Sequence, residues 1–241
     1  MTNLNRRKFL ATSAAAVAAS NVAGAADQPV RVQLTTGGHP YGLSFDGIFE
    51  GQNDLAVTVN PHPSAYRSDL RRRTDVLLLY DFADVTDERE RGNLRNFLEA
   101  GKGVVVLHHA IADNQKWPWW YEEVVGGLYL LAAERGLPAS KVKIPVDLTI
   151  RPVVKHPITE GIEPFRLVAE EAYKAMWISP KVRVLLETDN PDNDKPVGWI
   201  GPHPTSRVVY LQPGHGRETH QNARYRRLVH NAILWVAGRL G

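Results

Sequence analysis

Histidines stand just beyond runs that read as β-strands. His39 follows Val30 to Thr35 through Thr36-Gly37-Gly38, His108 and His109 follow Gly103 to Leu107, and His215 follows Val208 to Leu211 through Gly214. Imidazole titrates close to working pH, so it suits moving protons, and its neutral form is a common metal ligand. Asp81 and Phe82 leave a further run, Asp75 to Tyr80, in the same way. The chain has no cysteine, which excludes disulfides, thiolate metal sites and thiol nucleophiles. His62, His156, His203 and His230 lie in proline-flanked loops or in the last helix and read as structural.

Strand ends gather along one edge only if the strands run parallel. Val76 to Leu79 and Gly103 to Leu107 are continuously apolar, as expected of strands covered on both faces. Between them lies a helix that Thr86 can cap, with Asp87 and Glu88 at its positive end, Leu94, Phe97 and Leu98 as its buried stripe, and Gly101 past its last turn. Strand, helix and strand at this spacing form a right-handed crossover. The fold class expected is α/β: a three-layer, mostly parallel, doubly wound sheet of flavodoxin-like type. Leu55 to Val59 adds a strand, and Ile144 to Ile150, Val182 to Glu187 and Val197 to Ile200 are further short strands, some antiparallel at the sheet edge. Tyr225, Leu228, Val229, Ala232, Ile233 and Val236 recur at helical spacing and close the chain with an amphipathic helix. In such a sheet ligands bind beyond the carboxyl ends near the switch in strand order, where the histidines stand. Trp117 to Leu137, rich in aromatics and glycine, reads as a wall or lid.

Residues 1–25 read as a twin-arginine export signal: Arg6-Arg7-Lys8-Phe9-Leu10, an alanine-rich run, and Ala23-Gly24-Ala25 before a cut at Ala26. A periplasmic or otherwise exported protein is expected, with one domain over residues 26–241. The signal holds three of the chain's 29 basic residues and no acid, leaving 26 against 26 acidic. A balanced domain gives no basic patch for nucleic acid, and Arg71-Arg72-Arg73 reads as a solvated turn. No later apolar run approaches the roughly 20 residues that span a bilayer, so no membrane insertion is expected after cleavage.

Four separated segments resemble the ThuA-like, trehalose-utilisation family, which shares the fold of class I glutamine amidotransferases. They are Thr36-Gly37-Gly38-His39, Leu79-Tyr80-Asp81-Phe82-Ala83-Asp84 with Gly101 to His109, His156-Pro157-Ile158-Thr159-Glu160-Gly161 with Glu170-Glu171-Ala172-Tyr173, and Gly214-His215-Gly216-Arg217-Glu218. In the amidotransferases the turn after the strand matching Val104 to Leu107 carries a cysteine nucleophile, assisted by a late histidine that His215 resembles. Histidine replaces that cysteine here, so glutaminase chemistry is excluded. After His39 the family often shows a second histidine, where this chain has Pro40-Tyr41-Gly42.

The resemblance implies a small-molecule carbohydrate, a glycoside or its 3-keto derivative. On that reading His108 or His215 moves a proton, Glu171 orients or assists, and Gly38, His39, Asp81, Phe82, His109, Trp117, Tyr173 and Glu218 contact substrate. A keto group acidifies the neighbouring C–H, so elimination or isomerisation needs a base and a donor to the developing enolate, without a nucleophile. A second version places a divalent metal ion on His39, His108 and His215, with Glu171 or Asp113 joining. A non-catalytic sugar-binding module is the alternative from another class. A paired-carboxylate glycosidase is disfavoured, because Glu170 and Glu171 as neighbours on a strand face opposite ways, one of them toward solvent.

Overall fold

The structure is a computed structural model and describes residues 28–40 and 42–241; the expected export signal lies outside the described residues. In chain order the strands are β1 (Val30–Gly37), β2 (Leu55–Val59), β3 (Val76–Asp81), β4 (Gly103–Leu107), β5 (Gly127–Leu128), β6 (Lys141–Pro152), β7 (Phe165–Lys174), β8 (Trp177–Ile178), β9 (Arg183–Glu187), β10 (Pro196–Ile200) and β11 (Val208–Leu211). The helices are α1 (Glu88–Glu99), α2 (Arg217–His220) and α3 (Ala223–Val236).

Nine strands form one sheet in the order β2-β1-β3-β4-β11-β10-β9-β6-β7. The first five pair parallel, and β10, β9, β6 and β7 continue antiparallel to the edge. The doubly wound sheet with antiparallel edge strands is therefore the observed architecture. Its parallel part switches direction between β1 and β3, the place where this topology opens a crevice.

Alternation along the central strands divides the core into two layers. Leu78, Val105, Leu107, Val209 and Leu211 pack with Leu228, Val229, Ala232 and Ile233 of α3. Leu77, Leu79, Val104, Val106 and Val208 face the other way onto Leu94, Phe97 and Leu98 of α1. No residue of β3 or β4 is left to solvent, which explains their unbroken apolar runs.

The cap of α1 is Asp87 rather than Thr86: its side chain accepts from the backbone N–H of Arg89 and Glu90 at 2.9 and 3.0 Å. A carboxylate both bonds those orphan donors and opposes the positive helix end, which a threonine hydroxyl does not. Among the described residues no helix is long and apolar enough to cross a membrane.

Candidate functional site

Each strand end delivers its side chain by a local device. After β1 the chain turns on Gly38, at φ +73°, where a Cβ would stand 1.8 Å from the Phe82 carbonyl oxygen. Only glycine lets the two loops approach so closely. His39 then emerges exposed, its ring 4.4 Å from that of His109. At the end of β4, His108 holds φ +52°, a left-handed conformation that side chains other than glycine rarely adopt. It occupies the turn where the resemblance puts a cysteine. Observed backbone strain of this kind is a pointer to function.

Glu171 of β7 is the meeting point of the site. Its Oε1 lies 3.1 Å from His215 Nδ1 and its Oε2 lies 3.4 Å from His108 Nε2. The Tyr173 hydroxyl donates to Oε2 at 2.9 Å, and burial followed by the Glu171 charge raises that phenol well above its ordinary range, so it remains a donor. The His108 side chain is 3% exposed and that of His215 is 30%, so only the second opens to solvent. Burial, reinforced by the neighbouring imidazoles, pushes His108 down to about 3 despite its bond to the Gln212 carbonyl. Burial pushes His109 down to about 2, and neither of its ring nitrogens has a hydrogen-bond partner. Both are neutral imidazoles at neutral pH.

The loop that carries His215 is fixed from below by Glu170. Its Oε1 accepts from the N–H groups of Gly214 and His215 at 3.0 and 3.1 Å and from the Thr219 hydroxyl at 2.5 Å, and its Oε2 accepts from the Glu171 N–H. The expectation that one of the two glutamates faces solvent is thus corrected: Glu170 is fully buried and Glu171 half-buried. An extra residue in β7 opposite β6, with Ala169 at φ +55°, precedes the pair, and bulges of this kind re-aim side chains. Tyr80 and His220 donate to the Gly214 carbonyl at 2.7 and 2.9 Å, His220 through Nε2 while its Nδ1 meets the Ser44 hydroxyl. Gly214 is obligatory, since a Cβ there would stand 2.9 Å from that of His108.

Beside this cluster opens a cavity of about 230 Å³, lined by His39, Phe82, His109, Tyr129, Glu171 and Tyr173 among others. A larger depression of about 800 Å³ runs along residues 152–163 and holds none of the strand-end histidines; its His156 is spent capping the turn Pro157–Thr159.

Several expected contacts fall elsewhere. Trp117 is 4% exposed and packs between the guanidinium groups of Arg91 and Arg95 and the rings of Trp119 and Trp120, because the chain buries its aromatics against α1. Tyr129, further along the same segment, supplies the cavity wall instead. Glu218 is exposed on α2, and Gly38 shapes the loop without lining the cavity. His39 lies outside the set of ligand atoms that converge: His108, Glu171 and His215 do so, and His39 turns Nδ1 toward its neighbour, the Pro40 carbonyl.

Asp81 also leaves the expected contact list, since it is 1% exposed and bound to His62 at 2.7 Å. Asp113, 2% exposed, accepts from the Ala83 N–H and is no ligand of the histidine cluster. Burial, then the charge of Asp81, holds the Asp113 carboxyl well above the usual carboxylate range. The folded protein keeps a proton that the unfolded chain sheds above about pH 4. Stability is therefore complete at acid pH and drained as pH rises toward the folded pKa. Asp113→Asn keeps the acceptor for Ala83 and offers an N–H to Asp81 Oδ1, which has no partner. It is expected to gain about 1 kcal/mol at pH 7 and nothing at pH 3, read from urea midpoints; equal midpoints at pH 7 would refute the proton retained by Asp113.

Gln212, Tyr129, His220 and the buried Glu170 belong to the site beyond the residues expected from the sequence. Gln212 follows β11 directly, so the rule of strand ends contains it, whereas the others depend on contacts distant in sequence.

The trehalose-utilisation (ThuA) family model matches residues 24–236. A structure from Parabacteroides merdae described as ThuA-like superposes with TM-score 0.75 at 17% identity, over 88% of this chain and 92% of the other. One from Bacteroides uniformis, described likewise, gives 0.67 at 20%, over 87% and 92%. PurLQS from Thermotoga maritima gives 0.53 at 11%, over 86% and 99%, in keeping with an amidotransferase-like fold. No curated protein matches the sequence. With the family model covering nearly all of the described fold, the chain belongs to the ThuA, or trehalose-utilisation, family.

Proposed function

We propose that the cavity binds a sugar derivative, a glycoside or its 3-keto form, and that the Glu171-centred cluster carries out histidine-assisted proton transfer on it. The carrying observation is that His108 and His215, from two strand ends, converge on Glu171 of β7, which with its hydrogen-bonded neighbour Tyr173 lines the cavity. A keto-sugar presents an acidic C–H beside its carbonyl, and removing that proton starts either elimination or isomerisation. The cluster takes the proton, while the exposed His39 offers bonds to hydroxyl groups and the His109 ring forms part of the wall. The family's description as one of trehalose utilisation supports the sugar, and the sequence of residues 1–25 supports an exported setting.

Incubating the purified protein with a panel of glycosides and 3-keto-glycosides, followed by mass spectrometry, tests this. Release of aglycone or isomerised sugar from at least one keto-glycoside is expected. Tight calorimetric binding with no product over long incubation would instead establish a sugar-binding module.

A further inference from the structure

We propose that His108, Glu171 and His215 hold one divalent first-row transition-metal ion, with the open coordination position facing the cavity. The proposal rests on the cluster being the working centre, and it identifies the proton acceptor as a metal-bound hydroxide.

The hydrogen-bond network fixes the tautomer of His108. Its Nδ1 lies 3.0 Å from the Gln212 carbonyl oxygen, which can only accept, so Nδ1 carries the proton and Nε2 a lone pair. That lone pair faces Glu171 Oε2 at 3.4 Å, one acceptor against another, and His215 Nδ1 stands 3.1 Å from the other carboxylate oxygen. A cation between them removes the conflict. Atoms about 2.0–2.1 Å from a tetrahedral ion lie about 3.3–3.4 Å from each other, close to the spacings seen. One ligand atom from each of the three residues falls within 4.8 Å of the others.

The surrounding contacts are those a metal site requires. The Gln212 carbonyl orients one imidazole, and the Gln212 side chain is itself locked to Asn193 by bonds of 2.7 and 3.1 Å. Tyr173 donates to the ligating carboxylate, and Glu170 fixes the backbone of His215. Such outer partners set ligand orientation and basicity. Two imidazoles and a carboxylate without thiolate fit zinc, iron(II), cobalt or manganese, and three protein ligands leave room for water. A hydroxide on that metal would take the proton from the carbon beside the sugar carbonyl and become water, while the C–H electron pair forms the enolate C=C bond and the carbonyl π pair moves onto oxygen.

The test uses the full chain, untagged and purified without chelator. About one equivalent of metal per chain is expected by elemental analysis. After stripping, Zn²⁺ or Co²⁺ should restore a higher Tm, and Co²⁺ should give visible ligand-field bands. Glu171→Gln and His215→Ala should each weaken uptake at least tenfold, while His230→Ala, whose imidazole pairs with Asp54 elsewhere, should not. Less than a tenth of an equivalent, with no Tm shift on adding Zn²⁺, Co²⁺, Mn²⁺ or Fe²⁺, overturns the metal. Should turnover of a keto-glycoside persist in that metal-free protein, the proton-transfer reading survives alone. Stoichiometric metal with no turnover on the whole sugar panel upholds the metal and overturns that reading.

Discussion

Glu171→Gln is expected to lower kcat for a keto-glycoside by about 10²–10⁴-fold, the range typical of a lost proton-transfer group, with KM changed by less than about threefold. Glutamine matches the volume of glutamate and leaves one oxygen to accept from Tyr173, so the cavity wall keeps its shape. It brings an amide N–H₂ where the carboxylate meets His215 Nδ1 or His108 Nε2, and it carries no charge. The carboxylate charge that joins the two imidazoles into a functional unit is gone, whether the unit moves the proton directly or through an ion. Truncation elsewhere on the wall should behave differently: Phe82 lines the cavity without touching the cluster, so its loss should act on KM. Steady-state kinetics of the two variants at one pH makes the comparison. Undiminished kcat in Glu171→Gln would show that the cluster is scaffold.

The sequence reveals those parts of this site that depend on strand direction. Fully apolar β3 and β4 announce a parallel sheet covered on both sides, and a parallel sheet brings the residues at its carboxyl ends to one edge. His108, His109 and His215 could thus be collected from the chain without a structure. Contacts made across the sheet were not legible in this way. Nothing local in Glu170-Glu171 says that the first is sealed under Gly214 and the second opens on the cavity, because the strand bulge and the loop beneath it are separated by more than forty residues. Trp117 and Tyr129 show the same difficulty in reverse. Both are aromatic residues of one glycine-bearing segment, and only the packing of α1, with Arg91 and Arg95 bracketing the indole, sends the tryptophan inward and leaves the tyrosine as wall. Asp81 likewise obeys the strand-end rule and yet turns to His62, a residue whose proline-flanked loop gave no sign of reaching it.

Glu170→Ala should cost about 3–5 kcal/mol of stability, the range for stripping a buried charged group from its network. The side chain is fully buried and receives four hydrogen bonds, three of them from backbone N–H groups. Alanine leaves those donors facing a void of carboxylate size, and each unsatisfied buried donor is worth about 1–3 kcal/mol. For a chain of this length the loss corresponds to a Tm lower by about 10 °C. Glu170→Gln retains acceptors for the two loop N–H groups but adds a donor near Glu171 N–H, so an intermediate loss is expected, with kcat falling further than stability alone explains because His215 is displaced. Thermal melts of the three proteins, with kinetics measured well below each Tm, separate the effects. A Glu170→Ala protein as stable and as active as the parent would mean that the His215 loop is held by Tyr80 and His220 without the glutamate.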